Sequence, residues 1–239
     1  MLPKVELPTY ELTIPSTERV VNVRPFLVKE EKLLFMAAES KDDDEIIKTT
    51  KQILRNCILD EDVNIDTLPF FDVDFLFIGL RAKSIGETIE MKFVCNNEVE
   101  EKPCKHTFFA DIDVSKAVVK NRAETIPTIW LSDKVKVKMR YPTYAAVRSL
   151  KEEDGTMERK IKLIMNSIDY ILEDEEVHSA KDYSKDELRD FVENLSEEQF
   201  KKLEKFVFEF PTMSVDFDAT CKKCGFDHRI EYKDFTSFF

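Results

Sequence analysis

The residues best suited to chemistry in this chain are cysteines with a spacing typical of metal binding. Cys221 and Cys224 are separated by two lysines and followed by Gly225. Two thiolates at this spacing can hold one tetrahedral ion, and the glycine permits the tight turn. A structural zinc site needs four ligands, and Cys95 and Cys104 supply a second pair. The four cysteines therefore predict one structural zinc ion that joins two hairpins in a zinc-ribbon-like element.

Other interpretations of these cysteines stay open. The first pair has the spacing C-x8-C, wider than the usual gap of about two to four residues, and a free cysteine is often a small buried apolar side chain. His106 and His228 are substitute ligands, but a position on the protein surface is the first expectation for each of them. A catalytic zinc is disfavoured because the chain has no H-E-x-x-H or H-x-E signature, and a redox C-x-x-C would need a preceding βαβ pattern. Cys57 lies on the apolar face of a predicted helix and is interpreted as core.

The sequence disfavours several enzyme classes. Its four glycines are never close together, so a phosphate-cradling loop or a dinucleotide fingerprint is not expected. Residues 60–66 resemble a calcium loop in their alternating acids but lack its glycine and its closing glutamate. No Ser/His/Asp or Cys/His arrangement is readable. We therefore expect a non-enzymatic protein.

Predicted strands position the cysteines. Strands over 88–95 and 104–112 place the first pair at the two ends of one loop, and strands over 214–220 and 227–232 flank the second pair. Further short strands are predicted from alternating patterns, at 10–14, 20–24, 129–131 and 135–139.

Apolar periodicity predicts helices over 26–38, 42–57, 71–84 and 157–172. The first of these helices has Leu27, Leu34, Phe35 and Ala38 near one apolar face, and Arg24 just before it is interpreted as part of a surface ion pair. Capping boxes begin two more helices, S-K-D-E at 184–187 and S-E-E-Q at 196–199.

Together these patterns predict an α+β fold. An N-terminal domain, residues 1–142, combines hairpins and helices with a small mixed sheet. A helical subdomain covers residues 143–212. Residues 213–239 form a C-terminal hairpin with the C-x-x-C motif and an aromatic tail, and this hairpin is a candidate to pack back on the first domain.

Composition limits the partners and the location. The chain has 239 residues and a formal net charge of −12, whereas a nucleic-acid binder should carry a basic face. No apolar run reaches membrane-spanning length, and no signal-peptide apolar region is visible. We expect no nucleic-acid partner, no membrane span, and folding in a cytoplasm.

The C-terminal tail is the candidate interface. Phe235, Phe238 and Phe239 fall within the last five residues, where a chain is usually polar. The tail either covers the protein's own core or inserts these aromatic side chains as anchors into a neighbouring subunit. Both interpretations stay open.

Several short blocks along the chain carry a family resemblance. They are PST at 15–17, RPFLVKEEK at 24–32, AAES at 37–40, LPFFDVD at 68–74, RAKSIGE at 81–87, MRYP at 139–142, FP at 210–211, the cysteines at 221 and 224, and FF at 238–239. In their order and spacing these blocks resemble the baseplate hub protein family of T-even-type contractile-tailed bacteriophages.

The resemblance implies a hub subunit or a hub assembly factor, possessing no catalytic activity, that docks onto other proteins. Its partners would be other baseplate hub proteins and the tape-measure protein, within a hetero-oligomer. It would be present in the host bacterial cytoplasm during assembly and in the virion tail baseplate. The alternative function is a cytoplasmic zinc-ribbon adaptor or regulatory binding module.

Overall fold

A computed structural model describes residues 5–120, 127–150 and 155–233, so the phenylalanines of the predicted anchor, Phe235, Phe238 and Phe239, lie outside the described residues. The helices are α1 Val28–Ser40, α2 Asp43–Cys57, α3 Phe70–Ser84, α4 Tyr144–Arg148, α5 Thr156–Ser167, α6 Lys185–Glu193 and α7 Glu197–Phe208. Short 3₁₀ turns cover Ile65–Thr67, Val114–Lys116 and Ala180–Asp182. The strands are β1 Tyr10–Ile14, β2 Arg19–Val23, β3 Thr88–Val94, β4 Glu98–Val99, β5 Lys102–Pro103, β6 Thr107–Asp113, β7 Val118–Lys120, β8 Thr128–Trp130, β9 Val135–Met139, β10 Ile168–Glu173, β11 Glu176–Ser179, β12 Thr212–Thr220 and β13 Asp227–Tyr232.

The chain forms two compact units. Unit 1 comprises Met1–Ile65, Phe71–Lys120 and Thr212–Phe239, and unit 2 comprises Asp66–Phe70 and Asn121–Pro211. Unit 1 contains the hairpins β1–β2, β3–β6 and β4–β5 and the three-stranded sheet β13-β12-β7. Unit 2 contains the four-stranded sheet β11-β10-β9-β8. Every strand pairing in the described residues is antiparallel, so the prediction of a small mixed sheet was wrong; several small antiparallel sheets replace it.

Helix α3 supports the first hairpin of unit 1. The turn between β1 and β2 is held by buried Asp72, whose carboxylate accepts hydrogen bonds from the backbone N–H of Ser16 (2.9 Å) and from its hydroxyl. Gly79, two turns further along α3, faces Leu12 of β1 so closely that an added Cβ would lie 2.9 Å from Leu12 Cδ2. A side chain at this position would force the strand away from the helix.

Arg24 forms a buried ion pair with Glu30, so the surface interpretation was wrong. Its Nη2 lies 3.0 Å from Oε1 of Glu30, whose side chain is fully buried, and Arg24 itself is 15% exposed. Glu30 also accepts the backbone N–H of Leu27 at the start of α1 (2.9 Å). The pair is buried because the backbone N–H of Arg24 bonds to the carbonyl of Cys57, which brings the end of β2 against the end of α2.

Helix α1 turns a different face inward from the one predicted. Glu30, Leu34 and Ala37 are its buried residues, whereas Phe35 is 62% exposed and Met36 is 56% exposed. Phe35 was therefore assigned to the wrong face, because the inward direction of the helix follows the Glu30–Arg24 pair and not apolar character alone. Helix α3 is buried along most of its length.

Two hairpins of unit 1 pack against each other. In β3–β6, Phe93 pairs with Phe108 and Ile89 with Ile112, and these residues share one face as the alternation predicted. The ring of Phe93 meets Phe217 of β12, at 5.4 Å between ring centroids, and Tyr232 of β13, at 6.3 Å. We refer to β3–β6 together with β12–β13 as the hairpin pair.

Helices of unit 2 share one core with its sheet. One predicted helix is shorter than expected. The helix predicted over 157–172 ends at Ser167, and Ile168–Glu173 form strand β10. Ile168 is already extended, and Ile171 pairs with Val137 on one side and His178 on the other. Apolar spacing alone cannot separate helix from strand here, and pairing on both edges decides it. Residues 143–212, predicted as helical, thus include strands β10 and β11.

The two capping boxes predicted from the sequence were confirmed in unit 2. Ser184 and Ser196 cap α6 and α7, with Glu187 and Gln199 completing the two capping boxes. The core is aliphatic and aromatic, and it consists of Leu131, Val137, Met139, Leu163, Ile164, Met165, Ile168, Ala180, Val192, Leu203, Phe206 and Val207. Across the described residues, no helix is both long enough and apolar enough to cross a membrane.

Candidate metal centre

A two-residue turn brings Cys95 and Cys104 together despite their wide spacing. Cys95 follows β3, and Cys104 follows β5. Between them β4 and β5 pair antiparallel, and Glu100 and Glu101 at the tip both have positive φ, at 50° and 63°, as a type I′ turn requires. The Cys104 N–H bonds to the carbonyl of Asn97 at 2.8 Å and closes the loop. The C-x8-C gap is therefore filled by a small hairpin.

The second pair lies in the turn between β12 and β13. The Cys221 N–H donates to the carbonyl of Phe226 at 2.9 Å, and the Gly225 N–H donates to the carbonyl of Cys221 at 2.8 Å. Gly225 has φ of +72°, a conformation that side chains other than glycine rarely adopt. This glycine therefore permits the turn that directs Cys221 and Cys224 to the same side.

The four predicted ligands lie together. The Sγ atoms of Cys95, Cys104, Cys221 and Cys224 all fall within 4.8 Å of one another, and the Sγ atoms of Cys95 and Cys224 are 3.6 Å apart. In the described residues this is the group of side chains positioned to share an ion. Three of the four cysteines are buried, and Cys224 is half-buried. Four thiols clustered in this way can coordinate one metal ion in a closed tetrahedral site.

Polar groups surround the sulfur atoms. His228 is 8% exposed, and its Nε2 lies 3.3 Å from Cys95 Sγ. The ring of His228 stacks on Phe108, with centroids 5.4 Å apart, and meets Phe226 edge-on at 4.8 Å. Asn97 directs its side-chain amide toward Cys224 Sγ at 3.7 Å. The expectation that His228 is a surface histidine was wrong; its place opposite Ala219 on a strand that alternates in and out could have indicated burial.

The thiols differ in acidity because their surroundings differ. Burial, reinforced by the neighbouring thiols, raises the pKa of Cys95. The backbone N–H of Phe226 donates toward Cys224 and lowers the pKa of that thiol. Away from the cluster, burial raises the pKa of Cys57 to about 11, as expected for an unreactive core thiol. Cys57 is fully buried, which agrees with its interpretation as core.

The remaining histidines do not form a reactive group with the cysteines. His106 contributes its backbone carbonyl, which accepts the N–H of Cys95 at 2.8 Å. His178 is half-buried in unit 2 and bonds through Nδ1 to the hydroxyl of Tyr183 at 2.7 Å.

Unit 2 contains an apolar cleft. It has a volume of about 350 Å³ and is lined by Val135, Ile171, Glu173, His178, Tyr183, Glu187, Leu188 and Phe191. Of its two acids, Glu187 is engaged by Ser184 as part of the α6 cap. The cleft therefore has the chemistry of an apolar recess with a polar rim.

Comparison with known proteins identifies the family. A family described as T4 bacteriophage base plate protein matches residues 7–239, which span both units. No curated protein and no solved structure gives a significant match. The match extends over nearly the whole chain and agrees with the resemblance carried by the short sequence blocks. The chain therefore belongs to the T4 bacteriophage base plate protein family.

Proposed function

We propose that this protein is a non-enzymatic component of the phage tail baseplate hub, or a factor that assembles the hub, and that it acts by docking onto other hub proteins. The observation that carries the proposal is the family match over residues 7–239. Because the match includes both units, it supports a role that uses the whole described fold and not one appended domain. The tape-measure protein is a further candidate partner.

The exposed face of α1 supports a docking mechanism. Phe35 and Met36 are 62% and 56% exposed, and Val28, seven residues before Phe35, is 81% exposed on the same side of the helix. Aromatic and methionine side chains are enriched in protein interfaces, and an exposed apolar cluster is unusual on a free-standing surface. We infer that this face contacts a neighbouring hub protein. The phenylalanines of the tail remain a second interface candidate.

Quantitative mass spectrometry of purified particles and of assembly intermediates from infected cells tests the proposal. A hub subunit should be present at a few copies per mature particle, whereas an assembly factor should be present only in intermediates. Absence from both would contradict the baseplate hub proposal. The zinc-ribbon adaptor, which the four-cysteine cluster favours as a second candidate, would then be the better account.

A substitution tests the docking face directly. Phe35→Asp should prevent incorporation into the baseplate while leaving the protein folded, because the residue is exposed and α1 is held by its other face. Phe109→Asp is the matched control, since Phe109 of β6 is exposed to a similar degree, 58%, in the same unit. Normal incorporation of the Phe35 variant would exclude this face from the interface.

A further inference from the structure

We propose that Cys95, Cys104, Cys221 and Cys224 bind one structural zinc ion, and that His228 is a positioning residue that orients Cys95. The proposal concerns the hairpin pair itself and does not depend on the baseplate role. It assigns to unit 1 a metal-stabilised element that joins segments more than a hundred residues apart in the chain.

The distances between the sulfur atoms fit tetrahedral coordination of one metal ion. Zinc–sulfur bonds of about 2.3 Å in a tetrahedron place the sulfur atoms about 3.8 Å apart. Cys95 and Cys224 are already 3.6 Å apart, and all four sulfur atoms lie within 4.8 Å of one another. No two of the four sulfur atoms are therefore more than about 1 Å further apart than in such a tetrahedron. If these cysteines only filled a core, packing would not require the sulfur atoms of four separate loop positions to lie this close together.

Polar groups also approach the sulfurs from outside the cluster. The Asn97 side-chain amide lies 3.7 Å from Cys224 Sγ, and His228 Nε2 lies 3.3 Å from Cys95 Sγ. Donors of this kind stabilise negatively charged sulfur and are the usual outer partners of metal ligands.

The lysines near the cluster offset part of its charge. A zinc ion with four thiolates carries a net charge of −2. Lys105 follows Cys104, and Lys222 and Lys223 lie between the second pair, and all three are exposed beside the buried ligands. Four sulfur ligands in a closed tetrahedron are typical of a structural zinc site, with iron as the competing metal.

His228 is held so that it can act on Cys95. Its ring stacks on Phe108 and meets Phe226 edge-on, and its burial leaves little room to rotate. When Cys95 is a thiolate, the hydrogen bond requires Nε2–H as the donor, which fixes the tautomer of the ring. His228 therefore orients the sulfur without contacting the metal.

Metal analysis of the full chain, purified without a metal-affinity tag, tests the site. We expect one zinc per chain by elemental mass spectrometry and loss of that zinc in Cys221→Ser and Cys104→Ser. Cys57→Ser is the control, because it also removes a buried thiol but should retain zinc. A folded, metal-free protein that takes up no added zinc would overturn the proposal, as would stoichiometric iron. The cobalt-loaded protein provides a second measurement if the serine variants do not fold: it should show the charge-transfer absorption of tetrahedral cobalt–thiolate coordination, and its absence would also overturn the site.

Chelator competition tests the role of His228. His228→Ala should weaken zinc binding by about 10- to 100-fold, the usual cost of losing an outer partner of a ligand. His228→Gln should recover much of the affinity, because its amide can still donate to Cys95. Phe108→Leu disturbs the stacked ring while leaving the donor in place and is the control for packing. Unchanged affinity and an unchanged cobalt spectrum in His228→Ala would refute the positioning role.

Discussion

The two units stabilise themselves in different ways. Unit 1 buries polar and charged side chains at specific points, including Glu30, Asp72 and His228, together with three of the four clustered cysteines. Unit 2 buries a continuous group of aliphatic and aromatic side chains. Among its described residues, the buried polar side chain is that of Ser167. Directional contacts require particular partners and protonation states, whereas apolar burial requires mainly volume and shape.

The hairpin pair is the clearest case of this difference. The hydrophobic cluster around the cysteines is small, and its buried members among the described residues are Cys95, Cys104, Phe108 and Cys221. A core of this size contributes little apolar burial, and small elements of this kind commonly depend on a metal or on disulfides. Unit 1 should therefore respond to chelators and acid under conditions that leave unit 2 folded.

Metal removal should give the largest difference between the units. Binding free energies of structural zinc are on the order of 10 kcal/mol, and much of this energy would be lost from the hairpin pair. We expect faster amide hydrogen exchange in β3, β6, β12 and β13 after treatment with a strong chelator. Trp130, the single tryptophan, lies in β8 of unit 2, and its fluorescence unfolding transition should not shift. Equal exchange with and without chelator would show that the hairpin pair does not need metal.

Removing one partner of the buried ion pair should have the next largest effect. Arg24→Ala leaves the Glu30 carboxylate buried without its main partner, and such changes cost about 3–5 kcal/mol. Urea unfolding followed by far-UV circular dichroism measures the loss. Arg19→Ala is the matched control: its partner Asp62 is 73% exposed, and exposed pairs contribute about 0–1 kcal/mol. Equal effects of the two substitutions would mean that burial of the Glu30 pair is unimportant.

Truncating the core of unit 2 should lower its stability without affecting metal. Leu203 is fully buried in α7, and Leu203→Ala should cost about 2–5 kcal/mol because a cavity remains. Leu203→Met, which preserves the volume, should cost less than about 1.5 kcal/mol. Urea unfolding monitored by Trp130 fluorescence measures both variants. Loss of zinc in Leu203→Ala would contradict the separation between the units.

Acid should weaken unit 1 through Glu30. Burial acts to raise the pKa of Glu30, but the Arg24 hydrogen bond, the Leu27 N–H and the charges of Arg24 and Lys29 together hold it below its ordinary value. A lowered folded pKa stabilises the protein above the unfolded pKa, about 4.3, and this stabilisation is lost as the pH falls through the folded pKa. Urea denaturation between pH 3 and 6 measures the unfolding free energies of wild type and Glu30→Gln. The two values should converge as the pH falls toward 3. A pH-independent difference between them would exclude Glu30 as the titrating group.

A helix cap gives the smallest expected effect. Ser196 accepts the N–H of Gln199 at the start of α7, and Ser196→Ala should cost about 1 kcal/mol. Lys201→Ala, which removes an exposed pair with Glu197 on the same helix, should cost no more than about 0.5 kcal/mol. Thermal unfolding monitored by Trp130 separates the two variants. A larger loss for Lys201→Ala would show that the cap contributes less than its geometry indicates.

Local sequence signals predicted most elements. Alternation located the strands that carry the cysteines, and the S-x-x-E and S-x-x-Q patterns located the starts of α6 and α7, because these signals act within a few residues. The convergence of Cys95, Cys104, Cys221 and Cys224 also followed their predicted places at hairpin ends. Metal binding by these cysteines remains a proposal for experiment.

The amino-acid sequence was sufficient to predict the elements whose stability is local, the two cysteine pairs and the family, because capping, alternation and short motifs are encoded by neighbouring residues. Four features became visible only in the folded chain: Arg24 and Glu30 are buried together, Phe35 faces outward, Ile168–Glu173 form a strand, and His228 reaches Cys95. Each of these outcomes depends on a partner from another element. Burial and strand pairing are set by residues distant in the chain, and local periodicity carries no information about those partners.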